Sequence, residues 1–424
     1  MNRTLYSLFL YLLFPLVVMY LVFRAIKSPD YRRRWSERFG LATLQPTDVV
    51  VHSVSMGETL AAIPLIKKLM TQNPQMKFTV TTTSPTGSAE VIKAFGDKVQ
   101  HCYLPIDFAY AVKRFLRQTQ PKCLIIMETE LWPNLIHFAK HDKISLVLAN
   151  ARLSQKSAAK YASKPRLSTP MLKQLDLILV QTQAESERFV RLGVESQQIH
   201  LCGSLKFDLT IDPQKQQLAV QTREQWQRSH HPVWVAGSVH PGEFDIILAA
   251  HKQVLVDFPE ALLILAPRHP EQFNLAAITI TQAGFKLARR SMHDEVTHDV
   301  QVLLGDTMGE LLMLYGTADQ AFVGGTLIEG GGHNPLEPAA MGLPVYVGPN
   351  HWNFAEITEL LANAGGLQCV AGADDLAQVL IAKWNNNHAY QQASTAALSV
   401  VKQNRGALSK QFLLINSLIK ASAL

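Results

Sequence analysis

Hydrophobic residues along this chain of 424 amino acids form short runs that alternate with segments of helical periodicity. In the first half, runs typical of buried strands cover residues 48–54, 77–82, 122–127, 144–149 and 175–180, with helical segments at 59–70, 88–94 and 183–192. In the second half, strand-like runs at 233–236, 261–266, 300–304, 320–323 and 344–347 alternate with helical segments at 244–257, 272–283, 308–315, 335–341 and 354–364. This alternation predicts parallel sheets that are covered by helices on both faces.

The pattern predicts an α/β fold of two doubly wound, Rossmann-like domains that face each other. We place the first domain at residues 26–210 and the second at 211–424, with the last helices as candidates to pack back on the first domain. Ligands of such sheets bind beyond the carboxyl ends of the strands. The polar residues that follow each strand are therefore the candidate site residues.

A different pattern occupies the N-terminus, where residues 5–23 are nearly all apolar. A helix of this length, at about 1.5 Å per residue, comes close to the roughly 30 Å hydrocarbon core of a bilayer, and spanning helices tolerate a proline such as Pro15. The flank that follows is mostly basic, with Arg24, Lys27, Arg32, Arg33, Arg34 and Arg38 against Asp30 and Glu37. Because Lys and Arg mark the cytoplasmic side, the sequence predicts an uncleaved membrane anchor in residues 1–25, with the other domains in the cytoplasm.

Composition and charge narrow the partners only in part. Charged residues make up 17% of the chain, against roughly 25% in typical soluble domains, as expected for a membrane segment or an apolar acceptor groove. The net charge of +6 favours nucleic acid, acidic lipid headgroups or phosphorylated substrates. The four cysteines form no CxxC pair, so we expect buried thiols in a reducing compartment rather than disulfides or a zinc site.

Carboxylates follow two of the predicted strands in the first domain. In the motif HSVSMGE, Ser55 and Glu58 have the spacing of a capping box, which would make Glu58 structural. Alternatively, Glu58 projects into the interdomain cleft and takes a proton from an attacking hydroxyl. In METELWP, Glu128 and Glu130 either lie in a solvated loop or supply one carboxylate that lines a sugar site.

Basic and small residues follow other strands. Lys206, in GSLKFD, is a surface lysine in one interpretation and stabilises a departing phosphate in the other. Arg268, in APRHPE, either lies on the surface or binds phosphate through two N–H groups. The motif GSVHPGE at 237–243 would let a phosphate approach backbone N–H groups. The run 152–166 contains five basic residues and no acidic one, as in a solvated face or a site for lipid phosphates.

The strongest local signal is the glycine-rich loop that joins the strand at 320–323 to a short helix. In GGGHNPLEP, Asn334 can be the N-cap and Pro335 the first helical residue, and Glu337 can direct its carboxylate at ribose hydroxyls. The other interpretation is a flexible loop with an ordinary cap. The segment DTMGEL at 306–311 repeats the order of strand, cap and helix.

In this order, the motifs HSVSMGE, METELWP, GSLKFD, AGSVHPGE, APRHPE, GDTMGEL and FVGGTLIEGGGHNPLEPA resemble those of the 3-deoxy-D-manno-octulosonic acid (Kdo) transferases of lipid A assembly. The resemblance covers nearly the whole chain. It implies a GT-B fold, CMP-Kdo as donor, a tetraacylated lipid A precursor (lipid IVA) as acceptor, and inversion at the anomeric carbon. It implies neither a metal nor another cofactor. The partners expected are these two substrates and the anionic inner membrane, without nucleic acid.

The resemblance also implies roles for individual residues. Glu58 would be the catalytic base, and Glu128 and Lys206 would stabilise the transition state. The positions that match CMP-binding segments are Pro267, Arg268, Met308, Gly309, Glu310, Asn334, Pro335, Leu336 and Glu337. Two alternatives stay open at this point: a nucleotide-sugar 2-epimerase of the same fold, which would need no anchor, and a membrane-tethered sensor of nucleotide sugars.

Overall fold

The computed structural model describes residues 2–209 and 211–421. Its internal contacts divide the chain into two units, Met1–Asp208 with Arg405–Leu424, and Leu209–Asn404. The sequence places the domain boundary after residue 210, and the division between the two units lies close to it, between Asp208 and Leu209. Residue 210 itself lies outside the described residues. The final helix of the chain belongs to the first unit, so the second unit ends at Asn404 rather than at the end of the chain.

The first unit contains a parallel sheet in the order β3-β2-β1-β4-β5-β6-β7. Its described strands are β1 Val49–His52, β2 Phe78–Thr82, β3 Gln100–Tyr103, β4 Cys123–Met127, β5 Ser145–Ala151, β6 Leu177–Val180 and β7 Ile199–Leu201. Its described α-helices are α1 Arg3–Leu12, α2 Phe14–Lys27, α3 Trp35–Arg38, α4 Met56–Gln72, α5 Pro85–Phe95, α6 Ala109–Thr119, α7 Pro133–His141, α8 Gln155–Ala162, α9 Pro165–Leu172, α10 Gln183–Arg191 and, from the end of the chain, α19 Ala407–Ala421.

The central strands of this sheet are buried on both faces. Val50 and Leu124 belong to the core on one face, whereas Val49, Val51 and Ile125 belong to the core on the other. Successive residues of a strand point to opposite faces. A strand covered by helices on both sides therefore needs apolar residues at every position, which explains the continuous apolar runs in the sequence.

The second unit repeats this plan with the sheet order β10-β11-β9-β8-β12-β13-β14. Its described strands, all paired in parallel, are β8 Val233–Val239, β9 Leu262–Pro267, β10 Leu287–Arg289, β11 Val302–Leu304, β12 Gln320–Val323, β13 Val345–Val347 and β14 Leu367–Cys369. Its described α-helices are α11 Pro213–Gln225, α12 Phe244–Asp257, α13 Phe273–Gln282, α14 Leu311–Gly316, α15 Leu336–Ala340, α16 Ala355–Asn363, α17 Ala373–Asn385 and α18 Asn387–Gln403.

The apolar N-terminal segment forms two helices rather than the uninterrupted helix expected across residues 5–23. Helices α1 and α2 are bent by 57° at their junction, and Pro15 lies in the first turn of α2. Proline lacks an N–H, and its ring clashes with the carbonyl one turn earlier, so α1 ends before it. Among the described residues, only this bent pair, and no single helix, has the length and composition to cross a bilayer. Membrane anchoring therefore stays a prediction.

Helix α1 rests on the first unit through its polar residues. The Arg3 guanidinium and the Ser7 hydroxyl donate hydrogen bonds to Asn134 Oδ1 at 3.2 and 2.8 Å. On the same helix, Leu8 and Leu12 are 67% and 76% exposed. The polar side chains of Arg3 and Ser7 thus contact the first unit, whereas these two leucines of the same helix are largely exposed.

Candidate functional site

The first candidate site lies at the carboxyl edge of the sheet in the first unit, where the neighbouring strands β1 and β4 end. Ser55 is the N-cap of α4, and its Oγ accepts a hydrogen bond from the Glu58 N–H at 3.3 Å. The Glu58 carboxylate reaches back, accepting from the Val54 N–H at 2.8 Å and from the Ser55 hydroxyl at 2.9 Å. The cap suggested by the sequence is therefore present. It satisfies the N–H of Val54 rather than that of the N-cap residue.

The surroundings of Glu58 also make it a suitable base. The side chain is buried, at 8% exposure. Burial raises the pKa of Glu58 to about 7, and the charges of Glu128 and Glu130 raise it as well, whereas the hydrogen bonds from Val54 and Ser55 lower it. A base is most effective when its pKa lies near the working pH. Capping and basicity are thus two properties of one side chain rather than competing explanations.

Glu128 and Lys206 form an ion pair beside this carboxyl group. Glu128 directly follows β4 and has a left-handed backbone with φ +54°, a conformation that costs a non-glycine residue on the order of 1–3 kcal/mol and often occurs at functional sites. Its carboxylate lies 3.3 Å from Lys206 Nζ, and both side chains are largely buried. Lys206 is held in a 3₁₀ turn, Leu205–Phe207, that follows β7.

The structure therefore brings the three predicted catalytic residues of the first unit together at one sheet edge. Glu130 lies nearby, and burial, followed by the charge of Glu128, raises the pKa of Glu130. This cluster can accept a proton at a carboxyl group and can stabilise negative charge with an ammonium group.

The second candidate site lies at the carboxyl edge of the second unit, where the adjacent strands β9, β8 and β12 end. Pro267 is buried at the end of β9, and the N–H of Arg268 donates to Val239 O at 2.9 Å. Burial lowers the pKa of His333 to about 4, and the guanidinium charge of Arg268 lowers it too. Burial raises the pKa of Glu337, which the charge of Arg268 opposes. Arg268, His333 and Glu337 thus form one electrostatic cluster.

Sequence reasoning missed the histidines of this cluster as a group. The rings of His240 and His333 are stacked, with centroids 5.1 Å apart and planes 6° apart, and their Nε2 atoms lie 2.8 Å apart. His269 lies with its ring 5.7 Å from that of His240. His240 directly follows the end of β8, in the motif VHP, and His269 lies just after the end of β9, in the motif RHP, whereas His333 lies in the glycine-rich loop after β12, in the motif GHN. Their positions in segments that follow predicted strands were the signal that the sequence offered.

Glu243 organises the glycine-rich loop of this site and was also missed. It is fully buried, and its carboxylate accepts hydrogen bonds from the backbone N–H groups of Gly325, Thr326 and Leu327 at 2.7, 3.0 and 3.0 Å, and from that of His240 at 3.0 Å. These N–H groups therefore bind an internal carboxylate, which fixes the loop beside the histidines.

The start of α15 differs from the prediction by one residue. Pro335 is the N-cap rather than the first helical residue, which is Leu336. Asn334 still caps the helix, because its Oδ1 accepts from the Leu336 N–H at 3.1 Å. Since proline has no N–H to satisfy, it fits the position between the capping side chain and the capped N–H.

The segment Met308 to Glu310 forms the loop before α14 rather than the start of that helix, which begins at Leu311. Met308 is exposed, and Gly309 has φ +85°. Glu310 forms an ion pair with Arg290 at 3.1 Å and accepts a hydrogen bond from Thr307. The ion pair lowers the pKa of Glu310. Throughout residues 2–209 and 211–421, no group of three or more His, Cys, Asp or Glu side chains is arranged to hold a metal ion.

The two parallel α/β units define a fold class that solved structures of other proteins share. The structure of UDP-GlcNAc 2-epimerase from Neisseria meningitidis bound to UDP-GlcNAc has a TM-score of 0.56 and 12% identity, and the match covers 88% of this chain and 100% of that one. A glycosyltransferase from Rickettsia africae has a TM-score of 0.52 and 13% identity, covering 89% and 99%. At these identities the likeness establishes the fold, which is that of GT-B-like glycosyltransferases.

Sequence similarity places the chain within this class. Residues 33–209 match the family model of 3-deoxy-D-manno-octulosonic-acid transferase (kdotransferase). The 3-deoxy-D-manno-octulosonic acid transferase of Haemophilus influenzae is 40% identical over 416 residues, 97% of each chain. The chain belongs to the Kdo transferase family, the glycosyltransferases that add Kdo in lipopolysaccharide synthesis. The 2-epimerase alternative has only the shared fold in its favour.

Proposed function

We propose that this protein is a metal-independent, inverting glycosyltransferase that moves Kdo from CMP-Kdo onto lipid IVA, with Glu58 as general base. The family supports the transfer of Kdo. The observation that carries the mechanism is the buried Glu58 carboxyl group, with its pKa of about 7, close to the Glu128–Lys206 pair.

Glu58 acts on the acceptor. A sugar hydroxyl is a weak nucleophile at neutral pH, so a base beside it must take the proton as the oxygen attacks the anomeric carbon. The bond from that carbon to the phosphate oxygen of the donor breaks on the opposite side, which inverts the configuration. The hydrogen bonds from Val54 and Ser55 hold the Glu58 side chain in one position, which reduces the cost of orienting the base.

Charge neutralisation accompanies departure of the nucleotide. A CMP-sugar releases a monophosphate and offers no diphosphate for a metal to chelate. Lys206, paired with Glu128, stabilises charge that develops during transfer. Arg268 binds the phosphate, and Glu337 and Asn334 lie in the same cluster to bind the nucleoside. The proposed donor residues also include Pro267, Met308, Gly309, Glu310, Pro335 and Leu336.

The lipid acceptor requires access to a membrane, and we extend the proposal to the cytoplasmic face of the bacterial inner membrane. The support is the bent pair α1 and α2, on which Leu8, Leu12 and Met19 are exposed. The basic flank after α2 carries charge that suits anionic lipid headgroups.

The experiment that tests this function measures CMP release from CMP-Kdo with and without lipid IVA. We expect acceptor-dependent release by the wild type and little release by Glu58→Gln, with CMP binding retained. A protein that binds CMP-Kdo but releases no CMP in either condition would be a sensor. Equal release without acceptor would indicate a hydrolase.

A further inference from the structure

Helix α19 returns from the end of the chain to the elements that carry the proposed catalytic residues. It packs against α4, which carries Glu58 in its first turn, against β5, and against the 3₁₀ turn that contains Lys206. Phe412, Ile415 and Ile419 supply its apolar contacts to the core on that face of the sheet. One polar residue, Gln411, is fully buried on the same helix.

The Gln411 side chain forms hydrogen bonds with the backbone of two separate segments of the first unit. Its Oε1 accepts from the Asn150 N–H at 2.9 Å, and its Nε2 donates to Gly203 O at 3.2 Å. A buried amide that satisfies two backbone groups on separate segments fixes the distance between them. The two segments are the carboxyl end of β5 and the loop that leads to Lys206.

Asn150 links the end of β5 to the same loop through its own side chain. It is fully buried and has a left-handed backbone with φ +51°. Its Oδ1 accepts from the Leu205 N–H at 2.9 Å, one residue before Lys206. Asn150 follows Ala149, whose carbonyl accepts from the Glu128 N–H at 2.9 Å. Both partners of the Glu128–Lys206 pair are therefore tied to residues 149 and 150.

Asp208 connects the C-terminal end of the turn to the start of α19 through two further hydrogen bonds. The Asp208 carboxylate accepts from the N–H groups of Gly406 and Leu408 at 2.7 and 2.6 Å, just before and within α19. The segment from 203 to 208 is thus fixed at both ends by α19 and in its middle by Asn150. The side chains of Asn150, Gln411 and Asp208 therefore help to determine where Lys206 lies.

We propose that Asn150 and Gln411 are positioning residues that hold Lys206 at its distance from Glu128, so that the last helix of the chain sets the catalytic geometry. This inference rests on the role proposed above for Lys206. A displacement of about 1 Å at a reacting group can cost on the order of 100-fold in rate. We therefore expect loss of the side-chain hydrogen bonds of either residue to lower kcat and to leave the KM values for donor and acceptor nearly unchanged.

The test compares Gln411→Met, which keeps the volume and removes both hydrogen bonds, with Ile415→Val, which removes packing from the same helix and no hydrogen bond. Asn150→Gly removes the acceptor for Leu205 and permits the left-handed backbone. We expect Gln411→Met and Asn150→Gly to lower kcat about 10- to 100-fold and to speed amide hydrogen exchange in residues 203–208. Ile415→Val should change neither. If Gln411→Met and Ile415→Val have the same kcat and the same exchange, the inference is wrong.

Combination with Lys206→Met separates this inference from the proposed function. If Gln411 acts through Lys206, the double variant should be no slower than Lys206→Met alone. Multiplied effects, or a slow Lys206→Met beside a normal Gln411→Met, would refute the positioning role and leave the function intact. A Lys206→Met protein with wild-type turnover would refute the role proposed for Lys206 itself, and the inference with it.

Discussion

The substitution Glu58→Gln tests the mechanism where capping and basicity coincide. Glutamine keeps the shape of the side chain, and its carbonyl can still accept from Val54 or Ser55, but it cannot take up a proton at neutral pH. Loss of a general base costs about 10²- to 10⁴-fold in rate, equivalent to about 3–5 kcal/mol in the activation free energy. We expect a fall in turnover of that size with CMP affinity unchanged.

The pKa of Glu58 adds a dependence on pH. Wild-type kcat/KM should rise with pH through about 7 and then level off, because only the ionised carboxylate can act as the base. The folded pKa lies above the ordinary value of 4.5, so the contribution of Glu58 to the free energy of unfolding is present below pH 4.5 and is lost as pH rises through about 7. Between pH 4.5 and about 7, the free energy of unfolding of the wild type should therefore fall by on the order of 3 kcal/mol relative to that of Glu58→Gln.

Glu185→Gln is a matched control for this experiment. Glu185 is buried and caps α10 by accepting from the Thr182 N–H at 2.9 Å, in the same kind of motif at the end of another strand. Its loss should lower the free energy of unfolding by about 1 kcal/mol and leave turnover per folded molecule near that of the wild type. Turnover, pH–rate profiles and urea unfolding at several pH values measure these quantities. Near-normal turnover of Glu58→Gln would refute the assignment and make Glu128 or Glu130 the next candidate.

Three further predictions concern the donor, the membrane and the glycine-rich loop. CMP should raise the melting temperature more than UMP or UDP does, and Arg268→Ala should reduce that protection; greater protection by UDP would contradict a cytidine donor. Replacing the exposed Leu8 and Leu12 with Glu should weaken flotation with anionic vesicles without lowering the melting temperature, and unchanged flotation would contradict anchoring by α1. In Glu243→Gln, four backbone N–H groups lose the carboxylate that they share. The free energy of unfolding should therefore fall by about 1–3 kcal/mol, and CMP binding in titration calorimetry should weaken. An unchanged urea midpoint would refute this role of Glu243.

The central elements of both sheets could be predicted from the sequence because burial on both faces leaves a continuous apolar signal. Helix α12 and strand β12 have the predicted limits of 244–257 and 320–323. The strands without a prediction are β3, β7, β10 and β14, which are the edge strands of the two sheets. Edge strands are short, and one side of each is less enclosed, so polar residues such as Gln100, His200 and Gln368 interrupt the apolar pattern.

The candidate site could likewise be predicted only in part from the sequence. Sequence motifs located Glu58, Glu128 and Lys206 after strand ends, and the structure brings them together. The motifs could not show that Asn150 and Gln411, 261 positions apart, share a hydrogen bond. Nor could they show that Glu243 accepts from a loop more than 80 residues away. These contacts depend on the tertiary fold, and a buried Asn, Gln or Glu has no sequence signature that separates it from an exposed one.

The most direct test of the central claim is mass spectrometry of lipid IVA after incubation with CMP-Kdo and the full-length protein. We expect the acceptor to gain the mass of one or more Kdo residues with the wild type, and this gain to be nearly abolished with an equally folded Glu58→Gln preparation. Lipid IVA of unchanged mass, from a wild-type protein that binds CMP-Kdo, would contradict the claim.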